Sequence, residues 1–261
     1  MEFKKIDFPS SRVGTHDLGK IGKGKHHVAT ILELNVTESR SAIRELRRCG
    51  KSISFISWLV KKISETLEEH EEVRGYLKGR NKKIVFKDVS MSVMVEKSVS
   101  GTMVPIPLLI ENINHISVEE IYEKIESAKS LKINSEEDFV IEGSISKRLM
   151  SLYYKLPQFI RLLAIKSILK KPFKSHKMMG DAIFTSSGMT GRIPGWAIVK
   201  SYHNVAFVLG TIVKKPWVVN NQIMIQEIAH LTLLIDHDVV DGVAMAKFIS
   251  NLARKIEKFD M

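Results

Sequence analysis

The apolar run HLTLLID (230–236) passes without a break into DHDVVDG (236–242) and then into VAMAKFISNLARKIEKF (243–259). The first stretch reads as a buried strand, and the last carries apolar residues at helical spacing. One short turn must therefore join a core strand to an amphipathic helix, and a single turn residue with one cap would be enough to make it. This turn instead holds a histidine and several acids. His237, at the end of the strand, is held by the sheet on one side and open on the other, which suits a base that must meet a substrate in fixed geometry. Asp241 stands where it can satisfy free backbone donors of the helix. Gly242 beside it lets backbone or ligand approach closely. On spacing alone, a structural cap explains His-x-x-x-Asp-Gly as well as a catalytic turn does.

The remaining segments argue for an α+β fold. HHVATILELNVT (26–37) reads as a strand ending in Thr37, which is placed to cap the helix TESRSAIRELRR, and Gly50 ends that helix. ISFISWLVKKISETLEEH spaces Phe55, Trp58, Leu59, Ile63 and Leu67 on one helical face. KIVFKDV, VSMSVMVEKS and GTMVPIPLLIE are short β-rich pieces, and Pro105 and Pro107 confine the last to an edge. After the helix SVEEIYEKIESAKSL, residues 145–175 are helical in pattern, apolar on one side and basic on the other, and broken by Pro157 and Pro172. Two readings stay open for them: a helix pair covering the sheet, or an amphipathic surface for a membrane, partner helix or subunit. DAIFTSSGMTG and AIVKSYHNVAFVLGTIV are β-rich again. In PWVVNNQIMIQEI, Asn220 and Asn221 suit positive φ at a hairpin turn.

Composition narrows the function classes. No stretch approaches 18 uninterrupted apolar residues, and the start, MEFKKIDFPSSR, lacks the apolar core of an export signal, so a soluble, cytoplasmic chain is expected. The single cysteine, Cys49, can form neither an internal disulfide nor a zinc or redox pair, and no metal site is expected. The net charge of +11 would draw phosphate-bearing ligands or acidic proteins. The basic residues are spread along the chain without exposed-looking aromatics between them, a poor fit to nucleic acid.

The flanks of the histidine turn add a resemblance. LTLLIDHDVVDGVAMAKFISNLARKIE resembles the closing segment of the catalytic domain in the 2-oxo acid dehydrogenase acyltransferases (dihydrolipoamide acyltransferases), with its strand, then D-H-R-x-x-D-G, then A-x-x-x-x-F-L. The chloramphenicol acetyltransferases share the H-x-x-x-D-G core. NVAFVLGTIVKKPWVVNNQIMIQEIAHLTL is similar to the family's V-A-I-L-G-x-x-x-x-x-P-x-V strand and following hairpin. AIFTSSGMTG is similar to T-F-T-I-S-N-L-G-M-F-G, with Gly188, Met189 and Gly191 in register. Looser likenesses run through HHVATILELNVTESR and SMSVMVEKSVSGTMVPIP.

The resemblance implies a two-layer α/β sandwich with a mixed sheet, of the coenzyme A-dependent, chloramphenicol acetyltransferase-like type. It implies coenzyme A or acyl-coenzyme A as substrate, and His237 as the base that takes a thiol proton. It gives Thr185 the role of oxyanion donor, with Ser186 and Ser187 as rivals, and Asp241 that of an orienting acid. Ser186, Ser187, Gly188 and Gly242 would lie along the bound substrate. It further implies a homotrimer, possible larger cores built from such trimers, and His237 of one chain facing Thr185 of its neighbour. Three departures stand against this. Asp238 replaces the arginine that follows the histidine, EEVRGYL replaces P-x-L-N-A, and residues 134–180 are far longer than the family's link. The expected organisation is one catalytic domain over 1–261 with a helical insertion at about 134–180, and no lipoyl or subunit-binding domain. With no lipoyl group on this chain, the acyl donor would be a free thioester or a separate lipoyl or acyl-carrier protein. The alternatives are an inactive assembly homologue, and a basic module for nucleic acid or a membrane surface. The acyl group and the acceptor are not legible.

Overall fold

A computed structural model describes residues 3–4, 11–79, 81–99, 102–130, 152–153, 155–186 and 194–260. Its centre is a six-stranded mixed sheet. The strands are β1 (His27–Asn35), β4 (Met91–Val99), β5 (Thr102–Ile110), β6 (Ala182–Ser186), β7 (Val205–Val219) and β8 (Gln222–Asp236), in the order β1-β8-β7-β6-β4-β5. The pairs β1/β8, β8/β7 and β4/β5 are antiparallel, while β7/β6 and β6/β4 are parallel. A separate ribbon pairs β2 (Tyr76–Lys78) with β3 (Lys82–Ile84). The α+β class and the mixed sheet therefore hold.

Four helices form the second layer: α2 (Thr37–Arg48), α3 (Phe55–Glu69), α4 (Val118–Ser130) and a long C-terminal helix, Gly242–Glu257, numbered α7 below. The core is the face between the layers. Trp58, Leu59, Ile63 and Leu67 of α3 and Phe248 and Leu252 of α7 pack there with Phe184, Phe207, Leu231, Leu233 and Ile235 of the sheet. Strand alternation does the sorting: Phe184, Phe207, Leu231 and Leu233 face the helices, so Thr185, Val208 and Thr232 between them face away. A smaller group of helices, α1 (Ser11–Gly22), α5 (Gln158–Leu169) and α6 (Pro172–Met179), completes the described chain.

Local chemistry sets most boundaries. Ser54 and Ser57 form a reciprocal capping box at the start of α3. Gly50, at φ 87°, ends α2 as expected. Asn220 and Asn221, at φ 50° and 61°, form the two-residue turn between β7 and β8. β5 is the sheet edge, which suits Pro105 and Pro107: alternate residues of an edge strand turn their backbone nitrogens away from the ladder.

The structure corrects four expectations. Thr37 does not cap α2 but lies inside its first turn, and Asn35 Oδ1 accepts from Thr37 N at 3.1 Å and from Thr37 Oγ1 at 2.7 Å. Only the start of KIVFKDV is strand, because the carbonyls of Phe86, Lys87 and Asp88 turn inward to accept from buried Arg74. Residues 197–204 have no strand structure, and β7 begins at Val205. IMIQEI and HLTLLID are one continuous strand. Helix α1 went unread because three glycines interrupt its pattern.

Gly180 joins α6 to β6 at φ 69°, and a Cβ there would lie 2.5 Å from the Ser90 carbonyl oxygen. Gly180→Ala is expected to destabilise the fold by about 2–3 kcal/mol, read from urea unfolding midpoints.

Candidate active site

The residues of DHDVVDG occupy the end of β8 and the turn into α7. Asp236 is the last strand residue and is buried. Its Oδ2 accepts from Lys25 Nζ at 2.8 Å, and the same ammonium donates to Asn204 Oδ1 at 2.5 Å. Asn204 in turn donates to the Gly75 carbonyl. Asp236 N donates to the Asn204 carbonyl at 2.8 Å, and Asp236 Oδ1 accepts from Asp238 N at 3.3 Å. A buried carboxylate thus fastens the start of the turn to the segments before β1 and β7. A charge-assisted bond away from bulk water holds geometry better than a surface pair.

His237 follows directly. Its backbone N–H donates to the His26 carbonyl at 2.8 Å, so the position of its Cα is set by the strand on the sheet edge. The imidazole is exposed and lies 5.6 Å from the His26 ring, and among the described residues no group hydrogen-bonds to its nitrogens. Asp238 points to His26 as well, with Oδ1 3.3 Å from Nδ1. The acid that replaces the family's arginine therefore meets a neighbouring imidazole on a solvated surface, where such a pair adds little stability.

Asp241 is the N-cap of α7. One carboxylate oxygen accepts from Val243 N at 3.0 Å and Ala244 N at 2.9 Å. The cap satisfies two orphan donors and fixes the far end of the turn. Gly242 is exposed, and a Cβ there would meet nothing within 4 Å.

Thr185 lies elsewhere. It is in register with Val208, which is in register with Thr232, five residues before His237. At about 3.3 Å per residue the histidine is displaced by about 17 Å along the strands, and β6 is two strands from β8. One chain does not bring the two side chains together. Ser186 faces the helix layer, in an open cavity lined by Arg40, Phe55, Ile56, Leu209 and Ile212. The candidate hydroxyls Thr185 and Ser186 therefore sit on opposite faces of β6. Ser187 and Gly188 lie outside the described residues.

Lys25, His26 and Asn204 are the site neighbours that sequence reasoning missed. Lys25 and His26 were legible only as part of the basic run GKIGKGKHH. Strand pairing, not local pattern, gives them their role.

Behind the turn sits a layer of neutral histidines. His203 is buried, with its Nε2 donating to the Met179 carbonyl at 3.2 Å and its Nδ1 3.3 Å from Ser201 Oγ. Burial pushes its pKa down to about 3. Burial also lowers that of His27, whose Nε2 donates to the His203 carbonyl at 2.8 Å. An unfolded chain would bind a proton at His203 near pH 6.5, whereas the folded one stays neutral until about pH 3. Stability should therefore rise with pH across that window, by up to about 1.4 kcal/mol per unit. Urea midpoints at pH 7 and pH 5 check this, and His203→Gln should flatten the difference.

Comparisons with known proteins bear on the fold that carries this turn. The chain is 23% identical over 219 residues to the dihydrolipoyllysine-residue acetyltransferase component of the pyruvate dehydrogenase complex of Acholeplasma laidlawii, covering 83% of this chain and 39% of that protein. It spans less than half the length of the curated relatives it matches. A probable dihydrolipoamide acetyltransferase from Listeria monocytogenes 4b F2365 superposes with a TM-score of 0.67 at 18% identity, covering 98% of this chain and 94% of that one. The dihydrolipoamide acetyltransferase of Azotobacter vinelandii gives a TM-score of 0.66 at 17% identity, covering 98% and 92%. There a serine, a histidine and an asparagine were investigated for catalytic roles. These likenesses establish a shared fold. The family model for the 2-oxoacid dehydrogenases acyltransferase (catalytic domain) matches residues 22–138 and 163–261, and the chain belongs to that family.

Proposed function

We propose that this chain is a coenzyme A-dependent acyltransferase acting as a homotrimer, in which His237 is the general base and Thr185 of a neighbouring chain donates to the oxyanion. The observation that carries this reading is the division of the site. An exposed imidazole on a turn fastened at both ends has no hydroxyl partner among the described residues, and the matching hydroxyl lies on the same sheet about 17 Å away along the strands. A second copy can supply what one chain lacks. The Azotobacter vinelandii enzyme adds support: its serine precedes its histidine by the interval that separates Thr185 from His237, and its asparagine stands where Asp241 stands.

The chemistry follows from the residues. A neutral ring nitrogen of His237 takes the proton of the attacking thiol, from coenzyme A or dihydrolipoamide, and the sulfur bonds to the carbonyl carbon of the acyl thioester. The carbonyl electron pair moves to oxygen, where the Thr185 hydroxyl donates a hydrogen bond. Collapse restores the carbonyl and breaks the bond to the second sulfur, which recovers the proton from the imidazolium. Asp241 positions the turn and carries no proton. Ser187, Gly188 and Gly242 are assigned to substrate contact, whereas Ser186, on the opposite face of β6 from Thr185, is left out of it. The acyl donor is a lipoyl group or a free thioester.

The exposed apolar residues of the β7–β8 hairpin, Val218, Ile223, Met224 and Ile225, support self-association. A second reading, an inactive assembly homologue, rests on Asp238 alone.

The test is complementation between chains. His237→Ala and Thr185→Val chains, each inactive by itself, are co-refolded at equal amounts. Random mixing leaves about one interface in four with both groups intact, so about a quarter of wild-type activity should return. No recovery would place both groups in one chain's site or remove them from it. No activity in the wild-type protein would favour the inactive homologue, and full activity in either variant alone would place the chemistry at another site.

A further inference from the structure

The family match leaves residues 139–162 outside it, and the helices at and after its end carry a surface that acyl transfer does not use. Helix α5 reads QFIRLLAIKSIL and has no fully buried residue, although most of it is apolar. A helix of that composition ordinarily lies in a core or against an apolar medium. Its inner side is fixed to α1 by polar contacts. Asp17 is fully buried and accepts from Arg161 Nε at 2.6 Å, from Gln158 Nε2 at 2.9 Å and from the Tyr153 hydroxyl at 2.8 Å. That anchor decides which side faces outward.

The outward side is apolar and basic together. Phe159, Leu163 and, on α6, Phe173 are each 65% exposed, Ile160 and Leu152 are exposed as well, and the Phe173 ring meets Phe86 edge-on at 5.5 Å. Phe159, Leu163, Lys166 and Lys170 follow one another at helical spacing. One stripe is therefore apolar in its first half and cationic in its second. Lys155, Lys171, Lys174 and Lys177 are exposed as well. Among the described residues, the ion pairs made from 152–179 are Arg161 with Asp17 and His176 with Asp181, so these six lysines have none. Residues 143–180 contain no Asp or Glu.

Charge selects the occupant. A second copy docked on its own like face would set lysine against lysine. An acidic protein would answer the lysines but would also need a groove for three protruding apolar side chains. An anionic lipid surface meets both demands at once: aromatic and leucine side chains enter the acyl boundary while lysine stems reach the headgroups. Among the described residues no helix is long and apolar enough to cross a membrane, so the contact would be peripheral. We propose that the outward face of α5 and α6 docks the protein on anionic phospholipid.

Co-sedimentation of the full chain with vesicles tests this, and it needs no activity readout. At about 0.1 M salt the protein should sediment with mixed phosphatidylglycerol and phosphatidylcholine vesicles, stay in solution with phosphatidylcholine alone, and be released as salt screens the headgroups. The pair Lys166→Gln and Lys170→Gln should weaken binding by about 30-fold. Phe159→Ser with Leu163→Ser should abolish it. All four positions are exposed, so an unchanged melting curve is expected for both variants. No binding of wild type to the anionic vesicles, equal binding to both vesicle types, or unchanged binding by both variants would overturn the proposal. So would a lower oligomer mass for the Phe159/Leu163 variant in lipid-free solution, which assigns the face to another copy. Preference for poly-glutamate over vesicles would assign it to an acidic protein.

Discussion

Replacing His237 with alanine is expected to lower coenzyme A-dependent acyl transfer by about 10²–10⁴-fold and to leave the melting curve and oligomer size unchanged. The two halves of this result have separate causes. Chemistry is lost because alanine removes the ring placed against the thiol, and the neighbouring His26 ring, 5.6 Å away, is displaced from that position and faces Asp238 Oδ1 at 3.3 Å. The fold is kept because the imidazole is exposed and, among the described residues, its nitrogens bind nothing, while the bond from its backbone N–H to the His26 carbonyl survives the substitution. Steady-state turnover with an acyl-coenzyme A donor and a dithiol acceptor measures the first half, and thermal unfolding measures the second. Turnover equal to wild type would remove His237 from the reaction and place the base elsewhere.

Thr185→Val should lower kcat by about 10²–10³-fold with little change in KM for coenzyme A, because an oxyanion donor acts mainly in the transition state. Valine keeps the shape and the β-branch, so the ladder of β6 with Val208 is retained. Ser186→Ala is the control, since that hydroxyl faces the helix layer and the cavity beside Arg40. If the loss appears in Ser186→Ala and not in Thr185→Val, the donor role moves to Ser186 and the site moves to the other face of the strand.

What could be read in advance followed the range of each signal. The strand, turn and helix around His237 were legible because hydrophobic period, a capping acid and a following helix all lie within thirty residues. The Asn220–Asn221 hairpin was legible because positive φ is a local demand. The capping of α2 differs from the local pattern because Asn35, the last residue of β1, accepts from the N–H and hydroxyl of Thr37, whose Oγ1 is turned to accept from Glu227 N on β8. The Lys25–Asp236–Asn204 anchor was invisible because its members are far apart in the chain and meet only after β1, β7 and β8 have paired. The separation of Thr185 from Ser186 followed once β6 was a strand, since adjacent residues then face opposite sides.

The hairpin formed by the ends of β7 and β8 has one more consequence. β1 accompanies β8 only as far as Ile228 and β6 accompanies β7 only to Leu209, so among the described residues Lys214–Val219 and Gln222–Glu227 have no third strand beside them. Two strands by themselves are marginal in water. This ribbon should therefore open more readily than Leu231–Ile235 of the same strand, which lie between β1 and β7.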